Sequence, residues 1–266
     1  MALAALVAAG LLGTVSAEAA QCGEGTAGFA RWLEEFKADA VFRGIPRDVV
    51  DRALAGVTYS PRIISLDRSQ KSFKLDFPQF YARRVNDAMI KRGRAFLRDN
   101  AGLISRIEGQ YGVPGPVVVA IWALETGFGR DSGNLPVMSS LATLSYDCRR
   151  TQFFTEELMA AVRIVHNGDM TPAEMKGAWA GEIGQTQFLA TRYLNHAVDF
   201  DGDGRKDLMR SVPDVLASTA KVLRADGWRP GEGWDEGSAN YEVLRTWNRA
   251  SVYVRTIAKL ANELSD

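Results

Sequence analysis

The chain has 266 residues, of which 46% are hydrophobic and 24% charged, a composition typical of a globular protein with one large domain or two small ones. Lysine plus arginine and aspartate plus glutamate each number 32, so the formal net charge is zero. Because this balance provides no broad basic surface, no nucleic-acid partner is expected. Two histidines, without an HExxH or CxxC pattern, argue against a catalytic zinc site.

Residues 1–20, MALAALVAAGLLGTVSAEAA, are apolar and rich in small side chains, which predicts a signal peptide. Residues 21–266 would then be the mature protein, in the periplasm or secreted. The alternative is a membrane anchor, but Met1–Val15 is short for a membrane span. The two cysteines, Cys22 and Cys148, could form a disulfide in an exported protein, and two separate buried thiols are the alternative.

Helical periodicity dominates the sequence that follows. Apolar residues recur at three- and four-residue spacing in Phe29–Phe36, and Pro46–Leu54 predicts a second, short helix. The mixed segment Val57–Phe73, which contains Pro61, is interpreted as a loop or a short extended piece. Phe77–Tyr111 predicts one long helix or two shorter ones.

The second half of the chain is also mainly helical in pattern. An apolar run, Val117–Leu124, predicts a helix that begins at Pro114 or Pro116 and ends at Gly127. Further helices are predicted at Gln152–Val165, from Thr171–Glu174 onward, at Val212–Ala225 and within Tyr241–Leu264. With few alternating segments, the sequence indicates one mainly α domain, with a small β element between Asn134 and Tyr146 or in the loops.

Glu125 directly follows the apolar run and precedes Thr126 and Gly127. An unpaired buried carboxylate is costly, and the C-terminal end of a helix also disfavours negative charge, so both effects raise its pKa. A carboxylic acid that is protonated near neutral pH is what a glycosidase needs to protonate a leaving oxygen. The alternative is a glutamate that points into solvent from the last helical turn.

A second notable segment, Gly177–Phe188, combines glycines and small residues with Trp179, Gln185 and Gln187. Glycines let a sugar ring approach the backbone, an indole covers the apolar face of the sugar, and amides bind hydroxyl and acetamido groups. The segment therefore favours a saccharide-binding wall. A tight helix crossing that requires glycine is the alternative.

The third segment, Asp199–Asp207, has aspartates at positions 1, 3, 5 and 9 and glycine at position 6, as in the first part of an EF-hand calcium loop. Position 12 is Arg210, where the standard loop has a bidentate glutamate. Asp214 could supply that carboxylate through a longer loop. The pattern predicts a structural Ca²⁺ site, with a hydrated acidic turn as the alternative.

These three segments, in this order, resemble the membrane-bound lytic murein transglycosylase B family, whose catalytic module is also called transglycosylase SLT domain 2. The resemblance extends from about Tyr81 to the C-terminus. Further matches are Leu141–Ser145, Arg149, Arg150, Phe153, Phe154, Glu157, Leu158, Ser211–Asp214, Gly227, Trp228, Trp247 and Asn248.

The resemblance implies a lysozyme-like helical core with a peptidoglycan-binding groove and one catalytic glutamate, which matches Glu125. The chain departs from the family pattern at three places. Ala178 stands where many members have serine, and Val222 stands where some members have a groove tyrosine. A short stretch between Trp228 and Asn240 replaces the β-rich insertion of long members. The residues assigned to sugar binding are Tyr81, Trp179, Gln185, Gln187, Trp247, Asn248 and Tyr253. Those assigned to the metal loop are Asp199, Asp201, Asp203, Arg205, Asp207 and Asp214.

The resemblance also implies the reaction. Glu125 would protonate the oxygen between N-acetylmuramic acid and N-acetylglucosamine, and then accept the proton of the muramoyl 6-hydroxyl as a 1,6-anhydro ring closes. No catalytic cofactor is expected, the partner would be peptidoglycan glycan strands, and the protein would be a monomer. Any partner in cell-wall or secretion machinery is unknown.

Two other functions remain open. A hydrolytic muramidase would need a second carboxylate to activate water, and Glu182 or Asp131 could serve. A non-catalytic, calcium-stabilised glycan-binding protein is the other alternative.

Overall fold

The computed structural model describes residues 21–69 and 75–266. The predicted signal peptide, residues 1–20, lies outside the described residues. Within the described part of the chain, no helix has the length and apolar character needed to cross a membrane.

Thirteen α-helices account for most of the described residues, which confirms the predicted mainly α fold. Their bounds are α1 Phe29–Phe42, α2 Arg47–Ala53, α3 Pro61–Arg68, α4 Phe77–Arg84, α5 Asp87–Asp99, α6 Ala101–Tyr111, α7 Gly115–Thr126, α8 Val137–Tyr146, α9 Thr151–His166, α10 Ala190–His196, α11 Val212–Ala225, α12 Ala239–Trp247 and α13 Ser251–Ser265.

Helix α7 lies at the centre of the core and packs against α5, α6, α11 and α13. Its residues from Val117 to Leu124 are all buried, because a helix that is apolar on every side must be covered on every side. Pro114 precedes the helix and Pro116 lies in its first turn, where a missing N–H costs nothing. Helix α7 thus has the bounds that the apolar run and its flanking residues predict.

The small β element is a two-stranded antiparallel sheet of β1, Leu135–Pro136, and β2, Lys176–Gly177. Leu135 pairs with Gly177, so the chain that follows α7 is joined to the start of the glycine-rich segment. A Cβ atom on Gly177 would overlap the carbonyl oxygen of Glu182, so the tight loop requires glycine at this position.

Cys22 and Cys148 form a disulfide with their Cα atoms 5.0 Å apart. The Gly23 N–H donates a hydrogen bond of 2.9 Å to the Tyr146 carbonyl, which holds the first described residues against the end of α8. The predicted pairing is therefore present in the structure.

The loop expected in Val57–Phe73 is wrong at Pro61–Arg68, which forms helix α3. Ser60 caps this helix by accepting a hydrogen bond from the Ile63 N–H, and Pro61 occupies the first helical position. Proline is favoured there, so Pro61 begins a helix instead of breaking one. Residues 70–74 lie outside the described chain.

Phe77–Tyr111 contains three helices, not one or two. Asn86 separates α4 from α5 and accepts a hydrogen bond from the Met89 N–H, while Asn100 separates α5 from α6. Asparagine competes with the helical backbone for such bonds and so favours a boundary.

The helix expected from Thr171–Glu174 onward is also wrong. The two side chains exchange the hydrogen bonds of a helix-capping box, but the chain forms a turn and then enters β2 at Lys176. Pairing of β2 with β1 satisfies the backbone that a helix would otherwise use.

Candidate active site

Glu125 lies in the last turn of α7, which ends at Gly127 in the left-handed conformation (φ 59°). The Gly127 N–H donates to the Ala123 carbonyl and so closes the final turn. Phe128 follows with φ 63°, and apart from Gln187 it is the only non-glycine residue with positive φ in the described chain. Both outliers lie near Glu125, which is the distribution expected of a functional site.

An open cleft extends on both sides of Glu125. One half has a volume of about 390 Å³ and is lined by Arg83, Arg84, Arg130 and Asp131. The other half has a volume of about 430 Å³. Its polar and aromatic lining includes Arg150, Trp179, Glu182, Gln187, Arg192, Trp247 and Asn248. The cleft therefore brings together Glu125 and four of the seven residues assigned to sugar binding.

Burial raises the pKa of Glu125, as the apolar run before it predicts. Hydrogen bonding opposes this effect: the Trp247 indole N–H donates to Glu125 Oε1 over 2.9 Å. The Arg84 guanidinium also lowers the pKa of Glu125, whereas the Glu182 carboxylate raises it. The net direction is upward, which suits a group that must hold a proton near neutral pH.

Tyr253 lies beside Glu125 without lining the cleft. The residue is buried, and burial together with the Glu125 carboxylate raises the pKa of its phenol well above the ordinary value. Its hydroxyl is buried and makes no close hydrogen bond within the described residues. Tyr253 therefore borders the Glu125 carboxyl group from the protein interior and is not part of the cleft lining.

The two glutamines of the glycine-rich segment have different positions. Gln187 lines the cleft, and its amide nitrogen donates to the carbonyls of Ser132 and Gly184. Gln185 is buried: its Oε1 accepts from the Trp122 indole at 2.8 Å and its Nε2 donates to the Met209 carbonyl at 3.0 Å. Gln185 therefore joins α7 to the loops around it, and its assignment to sugar binding has no support in this geometry.

Tyr81 has other partners as well. Its hydroxyl donates to Glu263 at 2.5 Å, and the Lys259 ammonium lies 4.9 Å from the ring centroid. The cleft lining described above does not include Tyr81. The phenol therefore packs against α13 outside the cleft.

Asn248 and Trp247 follow one another at the end of α12, and both line the cleft. Asn248 Oδ1 accepts from the Ala250 N–H, which fixes the side chain at the start of α13. Val222, at a position where some members of the resembling family have a groove tyrosine, is fully buried in α11 and does not line the cleft.

The cleft arginines were not recognised from the sequence as site residues, apart from the family match at Arg150. Arg84 donates to the Leu124 carbonyl, Arg150 pairs with buried Asp67, and Arg192 pairs with Asp226. Arginine is common on protein surfaces, and no local pattern distinguishes these residues from the others.

In the acidic loop, carboxylate oxygens of Asp199, Asp201 and Asp203 lie within 4.8 Å of one another. Asp207 is paired with Arg210 at 2.8 Å, and Asp214 is buried and accepts backbone N–H bonds from Phe200 and Asp207. The structure thus groups three of the predicted ligands. It uses Asp207 and Asp214 to hold the loop together, while Arg205 contributes its backbone N–H to Asp203.

Comparison with known proteins agrees with this geometry. Residues 28–238 match the family described as "Transglycosylase SLT domain". Membrane-bound lytic murein transglycosylase B of Escherichia coli (strain K12) is 34% identical over 144 residues, which are 54% of this chain and 40% of that protein. The aligned part of the chain therefore spans well under half of that relative.

Two solved structures show the same fold. SltB3 from Pseudomonas aeruginosa, in complex with NAG-anhNAM-pentapeptide, superposes with a TM-score of 0.83 at 30% identity over 89% of this chain and 79% of that one. Escherichia coli Slt35, in complex with calcium, superposes with a TM-score of 0.78 at 20% identity over 95% and 98%. The chain belongs to the transglycosylase SLT domain family.

Proposed function

We propose that the protein is a lytic murein transglycosylase that cleaves the β-1,4 bond between N-acetylmuramic acid and N-acetylglucosamine and leaves 1,6-anhydromuramic acid ends. The observation that carries the proposal is the position of the Glu125 carboxyl group between the two halves of an open cleft. Burial raises the pKa of this group. Family membership and the resemblance to SltB3, which was solved with an anhydro-sugar peptide, support the same substrate class.

The proposed reaction needs only one acid–base group. Glu125 gives its proton to the glycosidic oxygen as the bond from that oxygen to the muramoyl C1 breaks, and the sugar's own acetamido oxygen stabilises the cationic carbon. The Glu125 carboxylate then accepts the proton of the muramoyl 6-hydroxyl as O6 bonds to C1. The glutamate ends the cycle protonated, and no water is consumed.

The cleft offers suitable groups to bind the sugars on one side of Glu125. Trp179 and Trp247 provide indole faces, and Gln187 and Asn248 provide amides. The other half of the cleft carries three arginines and little aromatic surface. We therefore expect sugar stacking mainly on the side that contains the tryptophans.

Replacement of the acid tests the proposal. Glu125→Gln keeps the shape of the side chain but removes the proton, and lysis of purified peptidoglycan should fall by roughly 10²-fold or more. Glu34→Gln, which alters an exposed, ion-paired glutamate on α1, is the matched control and should leave lysis unchanged. Retention of more than a few per cent of wild-type lysis by a folded Glu125→Gln variant would contradict the assignment.

One observation favours a hydrolytic muramidase as the second candidate. Glu182 lines the same half of the cleft as Trp247, burial raises its pKa, and its carboxylate accepts a hydrogen bond from the Ala180 N–H. A water held by Glu182 would produce reducing ends. Under the proposed function, Glu182→Gln still releases anhydro products, whereas under the alternative this variant loses reducing-end products, as mass spectrometry of the muropeptides would show.

We also propose that the acidic loop binds a structural Ca²⁺ ion through Asp199, Asp201 and Asp203. Three carboxylates held close together at an exposed loop fit a hard cation, and the structural relative solved with calcium supports the idea. The Asp207–Arg210 pair leaves fewer carboxylates than a full EF-hand offers, so the affinity should be modest. Calcium should raise the Tm of chelator-treated protein, and the Asp201→Ala/Asp203→Ala variant should lose this shift.

Residues 21–266 would form a single catalytic domain that works as a monomer outside the cytoplasm, in the periplasm or secreted. The Cys22–Cys148 disulfide supports an oxidising compartment. Fractionation of cells that express the full chain would test the location, and light scattering of the pure protein would test the oligomeric state.

A further inference from the structure

Trp247 contacts the catalytic carboxyl group directly. Its Nε1–H donates to Glu125 Oε1 at 2.9 Å and so connects the ends of α12 and α7 across 122 residues of sequence. Two neighbours hold the indole ring in place. Phe188 packs edge-on, with 5.9 Å between the ring centroids, and the Arg192 guanidinium lies 5.3 Å from the indole centroid. Trp247 is therefore a fixed donor and not a mobile lining residue.

An indole N–H donates a hydrogen bond and cannot accept one. When Glu125 is protonated, its carbonyl oxygen is the better hydrogen-bond acceptor of the two. Because Oε1 accepts from Trp247, Oε1 is the carbonyl oxygen and the proton lies on Oε2. When Glu125 is ionised, the same N–H···Oε1 bond persists and becomes charge-assisted. A tyrosine hydroxyl, which both donates and accepts, would not impose this choice.

We propose that Trp247 is a positioning residue that assigns the transferable proton of Glu125 to Oε2. The inference deepens the proposed function and rests on it. In the first step, the proton leaves Oε2 for the glycosidic oxygen as the C1–O bond breaks. In the second step, Oε2 takes the proton from the muramoyl 6-hydroxyl as the O6–C1 bond forms, so one atom acts as acid and then as base.

Other groups around Glu125 also shift its pKa. Arg84 at the end of α4 favours the carboxylate, while burial and the Glu182 carboxylate favour the acid. Tyr253 from α13 presents a buried hydroxyl that also favours the carboxylate and lowers the Glu125 pKa. Among these groups, Trp247 is the one that the structure joins to Glu125 by a short, well-formed hydrogen bond.

Trp247→Phe tests the proposal because it keeps an aromatic face in the cleft and removes the N–H donor, together with part of the indole ring system. Trp179→Phe is the matched control, because it makes the same substitution in the same half of the cleft. The indole that donates to Glu125 is that of Trp247, so this control leaves the hydrogen bond in place. The first readout is the titration of the Glu125 carboxyl carbon by NMR, assigned with Glu125→Gln. The second is the dependence of kcat and KM on pH with soluble peptidoglycan fragments.

For Trp247→Phe we expect a higher Glu125 pKa than in the wild type, because a donor to the carboxylate is lost. The alkaline limb of the pH profile should move in the same direction, and kcat should fall roughly ten- to hundred-fold through misplacement of the proton. Trp179→Phe should raise KM and leave the Glu125 titration unchanged. An unchanged titration in Trp247→Phe, or an equal shift in Trp179→Phe, would overturn the proposal.

The wild-type protein provides a check that needs no folded tryptophan variant. The Trp247 indole N–H resonance should shift with the same midpoint as the Glu125 carboxyl carbon, and this shift should be absent in Glu125→Gln. An indole resonance that stays constant through the Glu125 titration also overturns the proposal. Failure of the proposed function would be seen separately, as wild-type protein that releases no anhydro product.

Discussion

Removal of the Cys22–Cys148 disulfide should destabilise the protein by several kcal/mol. The bond joins cysteines separated by 126 residues, and loss of loop-closure entropy in the unfolded chain gives about 5 kcal/mol at 25 °C for a loop of this size. Native disulfides removed from small secreted domains typically cost about 2–5 kcal/mol, so we expect a loss of about 3–5 kcal/mol.

The native state should tolerate this change well. The Gly23 N–H still donates to the Tyr146 carbonyl, and Gly23 and Gly28 lie so close to the Tyr146 hydroxyl that a Cβ atom on either would overlap it. Because these contacts do not depend on the sulfur atoms, the effect should come mainly from the unfolded state.

The assay is urea unfolding of the wild type and of the Cys22→Ser/Cys148→Ser variant, which leaves no unpaired thiol. The variant should unfold at a lower urea midpoint, and a reductant should lower the midpoint of the wild type while leaving the variant unaffected. A loss smaller than about 1 kcal/mol would refute the loop-closure reasoning and indicate residual structure in the reduced unfolded chain.

Three further predictions concern buried groups. Burial raises the folded-state pKa of Glu125, so protonation stabilises the fold at low pH and this stability is lost as pH rises through the raised pKa. Glu125→Gln should therefore be more stable than the wild type at neutral pH, with the difference disappearing in urea titrations below about pH 4. Asp67→Asn should cost about 3 kcal/mol in the same assay, because buried Asp67 pairs with arginines, whereas exposed Asp48→Asn should cost under about 1 kcal/mol. Gly177→Ala should lose at least about 2 kcal/mol and most lysis through overlap with a backbone carbonyl, whereas Gly109→Ala, with open space around it, should slightly raise the Tm.

The central helix and its glutamate could be predicted from the sequence because local signals agree there. Val117–Leu124 is apolar without interruption, prolines mark the start of α7, and Gly127 marks its end. Such a helix must be buried, and a carboxyl group in its last turn must emerge at an edge of the core. The tryptophans and Gln187 followed from the chemistry of sugar binding and from the family resemblance.

Other features depend on tertiary contacts that no local pattern encodes. Thr171–Glu174 has the sequence of a helix start, yet pairing of β2 with β1 overrides it. Gln185 and Gln187 are equivalent as residue types, but only Gln187 has positive φ and lines the cleft. Arg84 and Arg192 reach the cleft from helices distant in sequence, and only the packing of those helices reveals them.

The identity of the product tests the central claim most directly. Purified peptidoglycan digested by the wild-type protein in heavy-oxygen water should yield 1,6-anhydromuropeptides without label, because the muramoyl 6-hydroxyl and not water attacks C1. Glu125→Gln should yield almost none of these products. Labelled reducing ends as the main product would contradict the account and establish hydrolysis in its place.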